Sequence, residues 1–161
     1  MNRHAPRQNG YTLVEMMIAV AVIALLASIA VPAAIRARNR SRAIDIANEL
    51  RATGEAVQMY AQEKTAYPPT AAGFSAIPTG MSNYMPKKST WTSSPPGGGW
   101  WYFWNFNPFG IWGYNAFIGV YNPNFTTETS QQIDAALDDG DPNTGQIRVL
   151  SGGSWILYGI N

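Results

Sequence analysis

Hydrophobic and polar positions divide the chain into three regimes. From Tyr11 to Ile35 nearly every residue is apolar, as in "YTLVEMMIAVAVIALLASIAVPAAI". As a helix this run spans about 37 Å, at about 1.5 Å per residue, enough to cross a hydrocarbon core of roughly 30 Å. From Ser41 the pattern becomes amphipathic. Ile44, Ala47, Leu50, Gly54, Val57 and Tyr60–Ala61 recur at spacings of three and four, which defines one helix face. Arg42, Asp45, Glu49, Arg51 and Glu55 fall mostly elsewhere, with Arg51–Glu55 spaced as an i,i+4 pair. Pro32 removes one backbone donor and bends or loosens the helix without ending it. Tyr67-Pro68-Pro69 stops it, so one helix is predicted from about Tyr11 to about Lys64.

Beyond the helix a long connection, Ala66 to Gly99, is rich in proline and glycine, with enough apolar residues to pack on a domain. Alternation then predicts strands in "GWWYFWNFN" and "GYNAFIGVYNP", joined by "NPFGIWG" as a hairpin loop. "IRVLS" and "SWILYGI" form a second hairpin, preceded by a short helix, Thr129–Leu137. The predicted class is α+β: a long helix whose second half carries a small antiparallel sheet, a ladle-like arrangement. Gly54 on the helix stripe either permits close approach by that sheet or is merely tolerated. The predicted segments are residues 1–10, 11–35, 36–66 and 67–161.

Composition removes several function classes. The net charge is +1, which gives no reason to expect a nucleic-acid partner. The chain has no cysteine, so disulfides and Cys-ligated zinc are excluded. Its only histidine is His4, beside Arg3 and Arg7 in the polar N-terminal stretch. With that stretch removed, the usual nucleophiles and bases are largely gone, and no enzymatic activity is expected.

Glu15 is the anomaly in the apolar run. A secretory signal peptide is shorter in its apolar part and lacks such a charge. An ionisable group inside a membrane segment points to function. Gly10 followed by "YTLVEMMIAVAVIALLASIAVPA" resembles the class III signal of type IV prepilins and type II secretion pseudopilins. That resemblance implies a leader ending at Gly10, cut by a prepilin peptidase, with Tyr11 as the methylated new N-terminus. Tyr11 replaces the commoner phenylalanine there. Glu15 is the fifth residue after the cut and takes the family's assembly role; Pro32 sits at the family's helix-kinking position. The implied product is a structural subunit of a secretion pseudopilus or a type IV pilus. Its implied partners are related pilin subunits, an inner-membrane assembly platform and membrane lipid. The implied location is the inner membrane with the C-terminal domain in the periplasm, then the filament. Physically, Glu15 facing the Tyr11 amine of its own chain or a neighbour fixes the register between helices, because other offsets strand a buried charge.

Three features leave alternatives open. Arg36, Arg38, Arg40 and Arg42 would, by the positive-inside rule alone, put the C-terminal side in the cytoplasm; the resemblance implies the opposite. They sit at the outer headgroups, line the filament, or form a solvated face. The tryptophan-rich strands are either a core built of aromatics with an outer face covered by the proline loop, or a surface that binds polysaccharide from a membrane anchor. Finally, Asp139, Asp141 and Asn143 alternate like the start of an EF-hand loop. Glycine then falls one place late at Gly145, and Leu150 stands where the closing glutamate belongs. Calcium is the candidate ligand there, since some major pseudopilins use calcium near this region; a polar turn is the alternative.

Overall fold

A computed structural model describes residues 10–111 and 113–161. Residues 1–9 of the predicted leader, with Arg3, Arg7 and His4, lie outside the described residues, as does Trp112 of the predicted hairpin loop. The first element, α1, is one uninterrupted α-helix, Leu13–Lys64, with Pro32 inside it. It ends at Lys64, four residues before Pro68, where Thr65 adopts a left-handed backbone conformation (φ 56°). Two compact units are distinguished, Met1–Arg38 and Asn39–Asn161. Within the first, the apolar side chains of α1 stand exposed, among them Leu13, Val14, Ile18, Ile23, Leu26 and Ile29. This part of α1 is long and apolar enough to cross a membrane.

In the second unit four strands, β1 (Trp100–Trp104), β2 (Ala116–Tyr121), β3 (Ile147–Leu150) and β4 (Trp155–Ile160), form one antiparallel sheet in the order β1-β2-β4-β3. The predicted α+β class, with a long N-terminal helix and a small antiparallel sheet, is the observed one. A second helix, α2 (Thr127–Leu137), precedes β3; Thr126 caps it, accepting from the Thr129 N–H at 3.2 Å.

The core forms between α1 and one face of the sheet. Ala43, Ile46, Ala47, Leu50 and Val57 of α1 are buried with Trp101, Phe103, Ile118, Val120 and Ile156. The buried stripe therefore starts one residue away from the predicted one: Ile44 is 44% exposed, and Ala43 and Ile46 take its place. One residue is a step of about 100° round a helix, enough to leave the core face. Arg51 makes no ion pair with Glu55. It donates to the Ala136 carbonyl at the end of α2, at 3.2 Å, where the negative end of the helix dipole favours a cation.

The proline-rich connection has no helix or strand between Lys64 and Trp100. It is nevertheless anchored. Ala71 N donates to the Phe103 carbonyl at 3.0 Å and Ser75 N to that of Trp101 at 2.7 Å, covering part of the free edge of β1. Trp91 is buried, stacked on Trp101 with ring centroids 5.6 Å apart. On the outer sheet face, Phe74 from the same connection stacks on Tyr121 and meets Trp100, Tyr102 and Trp155. The aromatics there pack on one another, with Phe74 and Trp100 left about half exposed.

Candidate functional site

The start of α1 holds the residues singled out in the apolar run. Gly10 has open space where a side chain would stand, and Tyr11 is 84% exposed. Thr12 is the residue before the first helical turn. Its hydroxyl oxygen accepts from the Glu15 N–H at 3.2 Å. In return Glu15 Oε2 accepts from both the Thr12 N–H and the Thr12 hydroxyl, each at 2.8 Å. This reciprocal arrangement is a capping box, which satisfies two of the donors that a helix start leaves unpaired. Thr12 is thus a site residue that the reading of the sequence passed over, although "TLVE" carries the Thr-x-x-Glu signature. Glu15 Oε1 has no partner among the described residues. The carboxylate is half committed: one oxygen holds its own helix start, and the other is open.

Further along, α1 continues through Pro32, and the Ser28 hydroxyl donates to the Leu25 carbonyl at 2.7 Å.

In the C-terminal acidic loop, hydrogen bonds link Asp139, Asp141 and Asn143 in series. Asp139 Oδ1 accepts from the Asp141 N–H at 2.9 Å and Oδ2 from the Thr144 hydroxyl at 2.9 Å. These hydrogen bonds, the Asp141 N–H foremost, hold the Asp139 carboxyl below its ordinary pKa. Asp141 Oδ1 in turn accepts from Asn143 N and Nδ2, at 3.0 and 2.9 Å. Asp141 and Asn143 are therefore engaged in a turn. Asp139 instead meets Asp134 and Asp138, each offering an oxygen within 4.8 Å of the others. Asp138 Oδ2 accepts from the Gln146 and Ile147 N–H groups at the start of β3.

Asp134 was not anticipated. It is fully buried on α2, and neither carboxylate oxygen has a hydrogen-bond partner. Burial pushes its pKa up to about 6; the nearby Gly140 N–H offsets part of the rise, while Asp139, Asp138 and Asp141 add to it. It also stands in the last turn of α2, where the helix dipole disfavours an anion. Such a group calls for a proton or a cation.

Comparisons with known proteins bear on the N-terminal segment first. The prokaryotic N-terminal methylation motif matches residues 5–31. The chain is 32% identical over 84 residues to the type II secretion system core protein G of Pseudomonas aeruginosa, covering 50% of this chain and 58% of that protein. It is 30% identical over 81 residues to the core protein G of Vibrio cholerae, covering 50% and 56%. The type IV major pilin protein PilA of Myxococcus xanthus is 39% identical over 67 residues, 42% of this chain and 30% of that one. The chain thus spans about half the length, or less, of the curated relatives it matches. No solved structure matches. The N-terminal segment thus carries a prokaryotic N-terminal methylation motif, and the chain is similar to type II secretion core proteins G and to a type IV major pilin.

Proposed function

We propose that this chain is a structural subunit of a secretion pseudopilus or type IV pilus. A prepilin peptidase cuts it after Gly10, the Tyr11 amine is methylated, and the mature subunit polymerises through α1 from an inner-membrane assembly platform. Before assembly α1 is held in the lipid of the inner membrane with the domain in the periplasm. The subunit works by packing and carries no catalytic role. The observation that carries this reading is the half-committed Glu15 carboxylate, set in the first turns of an exposed apolar helix. Its open oxygen is available to a cationic amine, and a paired charge in apolar surroundings costs far less than a lone one. Intact-mass analysis of membrane-extracted protein tests the reading. The expected mature chain begins at Tyr11 and carries one added methyl group; a terminus near Ala30–Ala34, left by ordinary signal peptidase, overturns it.

Calcium belongs to the same proposal as a stabiliser of the domain. Asp134, Asp138 and Asp139 fit it: the unpartnered, buried Asp134 supplies the need for positive charge, and three carboxylates supply hard oxygen ligands. Asp141 and Asn143 shape the loop that presents Asp139.

A further inference from the structure

We propose that Arg36, Arg38, Arg40 and Arg42 form a collar that binds the phosphate groups of anionic phospholipids, in the leaflet farther from Tyr11. The inference rests on the reading of α1 as a membrane anchor. It starts from placement. The apolar run ends at Ile35, and its length matches a hydrocarbon core. The next seven residues, Arg36–Arg42, cover about 9 Å of helix, close to the thickness of one headgroup layer.

Spacing identifies the partner. Alternate residues advance about 200° round a helix. Arg36 and Arg40 therefore share one side, and Arg38 and Arg42 the opposite side. A stripe of charge would suit a partner that approaches from one direction, such as the acidic face of a protein. Charge on opposite sides suits a medium that surrounds the helix, and a headgroup layer is such a medium. The intervening Asn39 and Ser41 are polar and neutral, so they do not weaken the charge.

Three observations agree. Arg36, Arg38 and Arg40 are exposed, and Arg42 is half-buried. None of the four has an ion pair or hydrogen bond among the described residues. The helix offers no carboxylate between Glu15 and Asp45. Four guanidinium groups are thus left for an external anion, and guanidinium matches phosphate with paired N–H donors. The burial of α1 begins at Ala43, immediately after the collar.

The test uses the full-length chain reconstituted in vesicles of phosphatidylcholine mixed with phosphatidylglycerol, with retained lipid counted by native mass spectrometry. Wild-type protein is expected to retain phosphatidylglycerol above its bulk share, by roughly fivefold for each engaged arginine, and to lose that enrichment at high salt. The variant R36Q/R38Q/R40Q, confined to exposed positions, should lose most of it; K87Q/K88Q, on the connection, should keep it. Equal enrichment in wild type and the triple variant overturns the collar. So does a triple variant that keeps its lipid but loses crosslinks between copies, which would assign the arginines to a second copy of the chain. A chain that enters phosphatidylcholine vesicles without any lipid preference overturns the collar alone. Failure to enter them at all overturns the membrane anchor with it.

Discussion

Gly54 of α1 lies directly beneath Tyr158 of β4: a Cβ at position 54 would meet Tyr158 Cε1 at 2.7 Å. The glycine permits helix and sheet to approach. Gly54→Ala gains about 1 kcal/mol of helix propensity but overpacks the contact at about 1–3 kcal/mol. The net expectation is a loss of about 1 kcal/mol, visible as a lowered melting temperature by tryptophan fluorescence. In a Tyr158→Leu background the same change should become neutral or stabilising. Additivity of the two substitutions would contradict the contact.

The carboxylate of Glu49 ties the proline-rich connection to α1. It accepts from the Ser89 hydroxyl and from the Thr90 N–H. Charged hydrogen bonds of this kind are worth about 1.5–3 kcal/mol. Glu49→Ala should free the segment that carries exposed Lys87 and Lys88. Limited trypsin digestion is expected to cut after these lysines at least about tenfold faster, with the sheet core unaffected. An unchanged cleavage rate would show that the stacked Trp91 suffices as an anchor.

Asp134 gives a pH dependence of defined sign. Its carboxyl is raised in the folded chain from 3.8 to about 6, so the folded state binds the proton more tightly than the unfolded one. Stability from this group is present below the unfolded value and is lost as pH rises through about 6. The loss is on the order of 1–3 kcal/mol. Asp134→Asn should remove this slope in chemical denaturation between those values. With calcium present, wild-type protein should recover stability above pH 6, whereas Asp134→Asn combined with Asp139→Ala should not. A wild-type curve indifferent to both calcium and chelator would leave the loop as a turn alone.

Glu15→Ala separates membrane insertion from assembly. Removing a charge from apolar surroundings leaves insertion at least as favourable, and leader cleavage should continue. On the proposed reading, incorporation into filaments should fail or slow, because a processed Tyr11 amine would lose its partner at a cost of about 3–5 kcal/mol. Crosslinking between subunits in whole cells measures this. The same ladder at the same yield would make Glu15 an incidental snorkelling residue. Gly10→Val, by contrast, should leave the leader attached, since a branched side chain crowds the cleavage position.

The long helix, its end near Lys64 and both hairpins were legible because periodicity and turn residues are local signals. The edge of the helix stripe was not, because Ile44 outweighs Ala43 in hydrophobicity while the inward direction is set by the sheet. The path of residues 71–75 along β1 rests on hydrogen bonds between distant segments, which composition does not encode. In the acidic loop, alternation drew attention to Asp141 and Asn143. Asp134, in "QQIDAAL", reads as an ordinary helical acid. The signal was its spacing of four from Asp138, which puts both on one helix face at the end that least tolerates them.

The outer sheet face has a further consequence. A Cβ at Gly119 would meet the Trp104 ring at 2.8 Å, and one at Gly159 the Tyr114 ring at 2.5 Å. Those rings sit close against bare backbone, and Trp104 packs in turn against Trp155, with ring centroids 4.9 Å apart. Cohesion that many exported domains draw from covalent cross-links is supplied here by aromatic rings seated on glycine. With no thiol anywhere in the sequence, folding of the domain waits on no oxidant and is undone by no reductant. The same structure is therefore accessible on either side of a membrane that separates reducing from oxidising surroundings.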